Sequence, residues 1–386
     1  MSFSEDCSVR RTPARMAMIG GGGGAFIGPV HRRAAALDGV VTIVAGAFSS
    51  DRSRNAETGR SLGLDPQRVY SSYDALFERE AARPADERPD FVCIVTPNHL
   101  HAPVAMAALS HGFPVFCEKP LTRDLPDARE LCALADATGL PVGVAYTYLG
   151  YPLVHEARRL VQAGTIGTVR RVDVRYTQGW LSQPIERSGN AQAAWRMDAR
   201  TAGIAGAVGD IGVHAQSLVE FVSGEQITEV SADLRQTVRG RELDDDCSML
   251  LRLTNGVRGT LAASQICAGD DNRLEVSVYG ESGGIHWAQE RPDRLILNVA
   301  GQPKRHITCD AALVGEPARS MLRLPAGHPE GYLEAFANLY LEFVGRISGG
   351  KSWAGLSHHD GLRSMAFIKA VIQSGAGNGR WRTIQA

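Results

Sequence analysis

Four apolar residues, Met16 to Ile19, run straight into five consecutive glycines, Gly20 to Gly24, and the chain continues Ala25-Phe26-Ile27-Gly28. An apolar run with no polar alternation reads as a strand buried on both faces. Glycine has no Cβ, so the turn after that strand can take positive φ and bring bare backbone up to a ligand. The stretch over 25–37 reads as a helix, whose first turn offers unsatisfied N–H groups and a positive dipole end to an anion. Strand, glycine turn and helix together make a cradle for a pyrophosphate, and Gly20-x-Gly22-x-x-Ala25 fits the dinucleotide fingerprint. Cofactor contacts are therefore expected along Gly20, Gly22, Gly24, Ala25, Phe26 and Ile27. Gly24, Ala25 and Gly28 compete for the place of the third glycine.

The rhythm continues to about residue 150. Helices over 51–62, 73–80, 100–111 and 125–138 alternate with apolar strands over 40–48, 90–95, 114–117 and 141–145. That alternation predicts right-handed βαβ units and a doubly wound parallel sheet. After Pro152 a helix over 153–163 is followed by strands over 169–178, 229–238, 248–253, 257–266, 274–280 and 294–299, with Asn255-Gly256 as a hairpin signal. Successive strands without intervening helices predict an open antiparallel sheet. Helices over 331–346 and 361–373 close the chain. The expected division is a loose extension (1–14), a dinucleotide-binding α/β domain (15–150) and an α+β domain for substrate and oligomerisation (151–386).

A formal net charge of −1 gives no electrostatic ground for a nucleic-acid or anionic-membrane partner. No run approaches the roughly 18 apolar residues of a membrane span, and the first 15 residues lack the apolar core of a signal peptide. A cytoplasmic protein is expected. Its seven cysteines are odd in number, scattered and never in C-x-x-C spacing, which predicts reduced thiols and no metal site.

Ligands of doubly wound sheets sit at the carboxyl ends of the strands. The second strand ends without a carboxylate for the ribose 2′-OH; Asp51 lies past it, while Ser49, Ser50 and Arg54 could take a 2′-phosphate. NAD and NADP both stay open at this point. The next strand ends in Thr96-Pro97-Asn98, with His101 close behind, and the one after it in Glu118-Lys119-Pro120. A lysine is ordinarily a surface residue, but at a strand end it points its ammonium towards the cofactor cleft. Farther on stands Gly209-Asp210-Ile211-Gly212-Val213-His214. If a helix starts near Asp210, Asp210 and His214 share a face at i, i+4, and a carboxylate beside an imidazole suits a general base. Asp244-Asp245-Asp246 reads as a solvated turn, and His358-His359 marks a helix start.

The glycine run, the Thr96-Pro97-Asn98-His99 and Glu118-Lys119-Pro120 strand ends, and Gly209 to His214, in this order, resemble the Gfo/Idh/MocA family of NAD(P)-dependent oxidoreductases. Gly24 to Gly28 with His31, Ala194-Trp195-Arg196, and Gly327 to Tyr332 are similar to its inositol, L-glucose and levoglucosan dehydrogenases. The resemblance covers nearly the whole chain from Met16. It implies a Rossmann domain joined to a largely antiparallel α+β domain, NAD with NADP not excluded, and a homo-oligomer, dimer or tetramer. It implies Lys119 as the catalytic lysine, His214 as general base, and Asp210 orienting His214 and holding a substrate hydroxyl. Arg196 and His328 would contact a sugar or cyclitol, with Tyr148 beside them after the strand over 141–145; Gln178 and Trp180 are weaker candidates. Three departures stand out: a longer glycine turn, a second strand without the standard acidic residue, and Tyr146-Thr147-Tyr148 where the family often carries asparagine and arginine. Against a ring-hydroxyl dehydrogenase stand two alternatives. One is a glycosidase that oxidises a sugar ring transiently; the other is a non-catalytic cofactor sensor, which would not need Lys119, Asp210 and His214 together.

Overall fold

The computed structural model describes residues 12–350 and 355–386. Most of the expected extension, with Cys7, lies outside them. Five strands form the first sheet: β1 (Ala14–Gly20), β2 (Val41–Ala47), β3 (Phe91–Val95), β4 (Val115–Cys117) and β5 (Val142–Val144). Their order is β2-β1-β3-β4-β5 and every pair is parallel. All five residues of β3 are buried, as a strand covered on both faces requires. Helices α1 (Ile27–Leu37), α2 (Arg52–Ser61), α3 (Tyr73–Ala81), α4 (His101–Ser110) and α5 (Leu125–Thr138) make the crossovers. This is the Rossmann arrangement expected from the alternating pattern.

The second half holds α6 (Pro152–Gln162), α7 (Ala191–Arg196), α8 (Ala199–Ala202), α9 (Val213–Ser223), α10 (Tyr332–Ile347) and α11 (His358–Ala376). Its strands are β6 (Val169–Thr177), β7 (Ile227–Arg235), β8 (Asp246–Leu253), β9 (Arg258–Ser264), β10 (Arg273–Gly280), β11 (Gly283–Ala288), β12 (Arg294–Val299), β13 (Arg305–Thr308) and β14 (Arg382–Thr383). They form one nine-stranded sheet, β13-β12-β11-β10-β6-β9-β8-β7-β14. The sheet is antiparallel except where β6 runs parallel to β9, a pairing across the long excursion that carries α7 to α9. Asn255 and Gly256 both take positive φ between β8 and β9, as the hairpin signal requires. One sheet face packs on α9, and α9 is buried at every position but Glu220 as a result. The final helices return to the first half: α10 packs on α1, and α11 on α5. No helix of the described residues is long and apolar enough to cross a membrane.

Candidate active site

The glycine turn has the geometry of a close backbone approach. Gly20, Gly21 and Gly24 take φ of +83°, +72° and +84°. A Cβ on Gly20 would lie 2.9 Å from the Val95 carbonyl oxygen, and one on Gly22 2.8 Å from that of Phe48. Gly28 decides the competition for the third glycine: its Cβ would fall 2.4 Å from the Gly21 oxygen, so it is the residue that lets α1 pack on the turn. Helix α1 has no side-chain cap and no acid in its first turn, which leaves its first N–H groups free. Ala25 closes the turn on Gly22, whose oxygen its N–H meets at 3.0 Å. These residues fit a dinucleotide's pyrophosphate.

The neighbouring strand ends divide into free and committed groups. Asp51 caps α2, accepting the Arg54 N–H at 2.8 Å, and Ser49 Oγ accepts the Asp51 N–H at 3.1 Å. Ser50 and Arg54 are exposed, and Arg54 flanks Gly23. Thr96 Oγ1 is buried with no partner, an acceptor-donor left open beside the cleft. Pro97 starts a short 3-10 turn, and Asn98 Nδ2 donates to Ala202 O at 2.9 Å. His101 does not fit its expected role as a cofactor contact. It is buried with Nδ1 2.8 Å from Pro120 O and Nε2 2.9 Å from Thr96 O, so both ring nitrogens are spent joining two strand-end loops.

A cleft of about 600 Å³ opens beside the turn. Phe26, Ile27, Thr96, Glu118 and Lys119 line it from the first half, and Tyr148, Arg196, Asp210 and His214 from the second. Lys119 Nζ donates to Asp210 Oδ1 at 2.8 Å and to the Asp210 carbonyl at 2.7 Å. Asp210 Oδ2 accepts Gln265 Nε2 at 2.9 Å and lies 3.3 Å from Arg196 Nε. Burial alone would raise the Asp210 carboxyl, but the Lys119 and Arg196 cations outweigh it and hold it well below the usual carboxylate range.

Asp210 therefore does not orient His214 as the i, i+4 spacing suggested. Val208–Gly212 is a π-helical turn, and α9 begins only at Val213. The wider turn breaks the α-helical register on which that pairing depended. His214 is buried and its Nδ1 has no hydrogen-bond partner. Burial, and then the charge of Lys119, push its pKa down to about 3, so its imidazole is neutral at ordinary pH. Two edges fix the ring instead: Tyr148 at 4.8 Å and Tyr146 at 6.2 Å between centroids.

The far wall is polar and aromatic. Tyr148 contacts Tyr176 OH and accepts Asn272 Nδ2 at 3.1 Å. Gln178 Nε2 donates to Asn272 Oδ1 at 2.7 Å, and Trp180 Nε1 to Gln178 Oε1 at 3.0 Å. Arg196 lies over the Trp195 ring at 4.3 Å and donates to Gln192 Oε1 at 2.9 Å. Gln192 in turn reaches the Gly24 carbonyl at 3.4 Å, so α7 bridges the far wall and the glycine turn. His328 is not brought to the cleft; it is exposed, with Nδ1 near its own loop's Pro325 O.

Sequence reasoning missed Gln265 and Asn272, at strand ends, and Gln192 in the short helix α7, single polar residues with no spacing signal. It also misread Asp244 and Asp245, which are buried. Asp244 accepts the Gly206 and Val208 N–H groups at 2.6 and 2.8 Å, and Asp245 pairs with Arg241 at 3.0 Å. The acid run thus anchors the turn that carries Asp210. His358 and His359 meet Asp136 at 3.0 and 3.2 Å, away from the cleft.

Comparison with known proteins agrees with this picture. A profile described as "Oxidoreductase family, NAD-binding Rossmann fold" matches residues 14–146, and one described as "GFO/IDH/MocA C-terminal domain" matches residues 154–286. An inositol dehydrogenase homologue from Azotobacter vinelandii, solved with NAD+, is 34% identical with a TM-score of 0.92, covering 97% of this chain and 98% of its own. The uncharacterized oxidoreductase YfiI of Bacillus subtilis is 33% identical over 335 residues, 86% of this chain and 85% of its own. Levoglucosan dehydrogenase of Pseudarthrobacter phenanthrenivorans is 29% identical over 304 residues, 72% of this chain and 75% of its own. The fold and these matches define an NAD-binding oxidoreductase. The chain belongs to the Gfo/Idh/MocA family and is of the sugar and inositol dehydrogenase type.

Proposed function

We propose that the protein is an NAD-dependent dehydrogenase that oxidises a ring secondary hydroxyl of a sugar or cyclitol. The observation that carries this reading is one cleft holding an ammonium fixed on a carboxylate, a neutral unpartnered imidazole and a glycine turn. NAD bound on that turn supplies the hydride acceptor. His214, neutral and with no competing hydrogen bond, takes the hydroxyl proton as the carbinol hydrogen leaves. Lys119 stabilises the alkoxide character that develops on the same oxygen, and Asp210 holds the ammonium in place while it does so. Arg196 and Tyr148 hold the other hydroxyls, and Trp180 and Trp195 offer the apolar faces on which a sugar ring stacks. Ser49, Ser50 and Arg54 leave room for a 2′-phosphate, so NADP is tested alongside NAD.

Residues 15–150 would hold the cofactor and 151–386 the substrate. The uncovered sheet face, where Leu250 and Tyr279 are 55% and 45% exposed, is the surface on which a second copy would pack. The similar proteins named above for inositol and levoglucosan make cyclitols and anhydrosugars the first compounds to try. The deciding experiment is an absorbance screen at the reduced-nicotinamide band with inositols, L- and D-sugars, anhydrosugars and glycosides. Net reduction of cofactor with an uncharged polyol is the expected result. Cleavage of glycosides with no net reduction would replace this reading by the glycosidase one.

A further inference from the structure

His31 has no part in the chemistry just described, yet it is a fully enclosed polar group near the cleft. It stands on α1, directly after the glycine turn, with no exposed surface. Its Nε2 lies 2.8 Å from Glu118 Oε1, and its Nδ1 2.7 Å from Tyr340 OH. Glu118 Oε2 accepts the backbone N–H of Lys119 at 3.1 Å, and the Glu118 N–H is tied to Ile94 O at 2.9 Å. The imidazole is edge-on to Phe336 at 4.8 Å and to Phe116 at 6.1 Å. Cys93 Sγ, 3.6 Å from Nδ1, completes the polar groups facing it. One ring thus meets β3, the end of β4 and α10.

Stability is a poor explanation for this arrangement. A buried ion pair among aromatic side chains generally contributes no more than an apolar replacement of the same volume. What the pair does here is specify Glu118, which lines the cleft beside Lys119. An unpaired Glu118 would place a second carboxylate against the Lys119 ammonium. With Glu118 answered by His31, Lys119 and Arg196 face one half-buried carboxylate, Asp210, and Asp271 stands exposed at the rim. The surplus positive charge is then left for the oxyanion of the substrate.

We propose that His31 is a positioning residue for the reaction: by pairing with Glu118 it fixes the Lys119 backbone and keeps the Glu118 charge from claiming the Lys119 ammonium. This rests on the dehydrogenase reading. Burial opposes charge on His31, but Cys93 and Glu118 outweigh it and raise its pKa to about 9, so the ring is an imidazolium at neutral pH. Glu118, for which burial likewise opposes charge, is held below its ordinary value by His31 and then Lys119.

The chain has only four lysines, Lys119, Lys304, Lys351 and Lys369. Reductive methylation with a 13C label therefore gives a resolvable lysine spectrum, and Lys119→Arg assigns its signal. The full chain is compared as wild type, His31→Gln, Tyr340→Phe and the double variant His31→Gln/Glu118→Gln. In His31→Gln the Lys119 titration is expected to move up by about half a pH unit or more. Tyr340→Phe, which removes one oxygen atom and keeps the fold, moves it the same way by about half as much. The double variant returns it, because glutamine still accepts the Lys119 N–H and carries no charge. In turnover, His31→Gln lowers kcat by about tenfold and shifts the pH profile, while KM stays within about threefold.

A Lys119 titration unmoved in both His31→Gln and Tyr340→Phe overturns the proposal and leaves His31 a core residue. If His31→Gln fails to fold, Tyr340→Phe and the double variant decide by the same titration. Absence of turnover in the wild type would instead defeat the dehydrogenase reading, and the titration would still report on His31.

Discussion

His31 and His214 are both buried and both feel the charge of Glu118, yet their surroundings push them in opposite directions. His31 has an oxygen partner at each ring nitrogen and holds its proton up to about pH 9. His214 has a bare Nδ1, a neighbouring ammonium and aromatic edges, and gives its proton up down to about pH 3. The Rossmann side of the cleft thus answers its two charged groups, Glu118 and Lys119, and leaves the Thr96 hydroxyl open. The other wall keeps the His214 Nδ1 unanswered, and an unanswered buried group is what a substrate hydroxyl can satisfy. Burial alone does not separate a packing histidine from a reactive one; the partners do.

The largest effects should come from the two groups proposed to meet the substrate, one from each wall. His214→Asn is expected to lower kcat by about 10²- to 10⁴-fold, the usual worth of a general base. Lys119→Met should lower it by about 10²- to 10³-fold through loss of charge stabilisation. Steady-state kinetics on the substrate found by screening checks both, and intact turnover in either would remove that residue from its role.

The turn itself comes next. Gly28→Ala forces a Cβ to within 2.4 Å of the Gly21 oxygen. Overpacking of this kind costs about 1–3 kcal/mol, and here it also displaces the donors of α1. Calorimetry should show NAD affinity weakened by about tenfold or more, whereas equal affinity would mean that α1 does not shape the site.

A pH series sharpens the contrast between the histidines. A group whose pKa is raised on folding stabilises fully below its unfolded value, about 6.5, and loses that contribution as pH rises through its folded value. For His31 the loss runs from about pH 6.5 to about 9. His214, depressed to about 3, does the reverse: the unfolded chain binds the extra proton, so stability falls as pH drops below about 6.5. Urea midpoints at pH 5, 7 and 9 should flatten on the alkaline side in His31→Gln and on the acid side in His214→Asn. A parallel shift in both would show that the pairings are misassigned.

The smallest effect is reserved for Asp51. As the cap of α2 it should contribute about 1 kcal/mol to stability, so Asp51→Ala lowers the unfolding midpoint while NAD affinity stays within about twofold. A large loss of affinity would mean that it binds the ribose after all.

Much of this was legible in the chain because the signals are local. The apolar runs of β1 and β3, the glycines between β1 and α1, and the Asn255-Gly256 hairpin each act through neighbours a few residues away. Lys119 was legible for the same reason, as a lysine at a strand end. What stayed hidden depends on contacts between distant segments. Spacing placed Asp210 with His214, but a π-helical turn redirected it to Lys119, 91 residues earlier. His101 was given to the cofactor and proved to clasp two loops, because nothing local distinguishes a free imidazole from one held by two carbonyls. Asp244 and Asp245 looked solvated because three acids in a row usually are, and only the approach of Gly206, Val208 and Arg241 keeps two of them buried. Local backbone chemistry was enough to set a nucleotide cradle and its sheet; which side chain finds a partner across the cleft, and which is left without one, follows from the packing of the two halves.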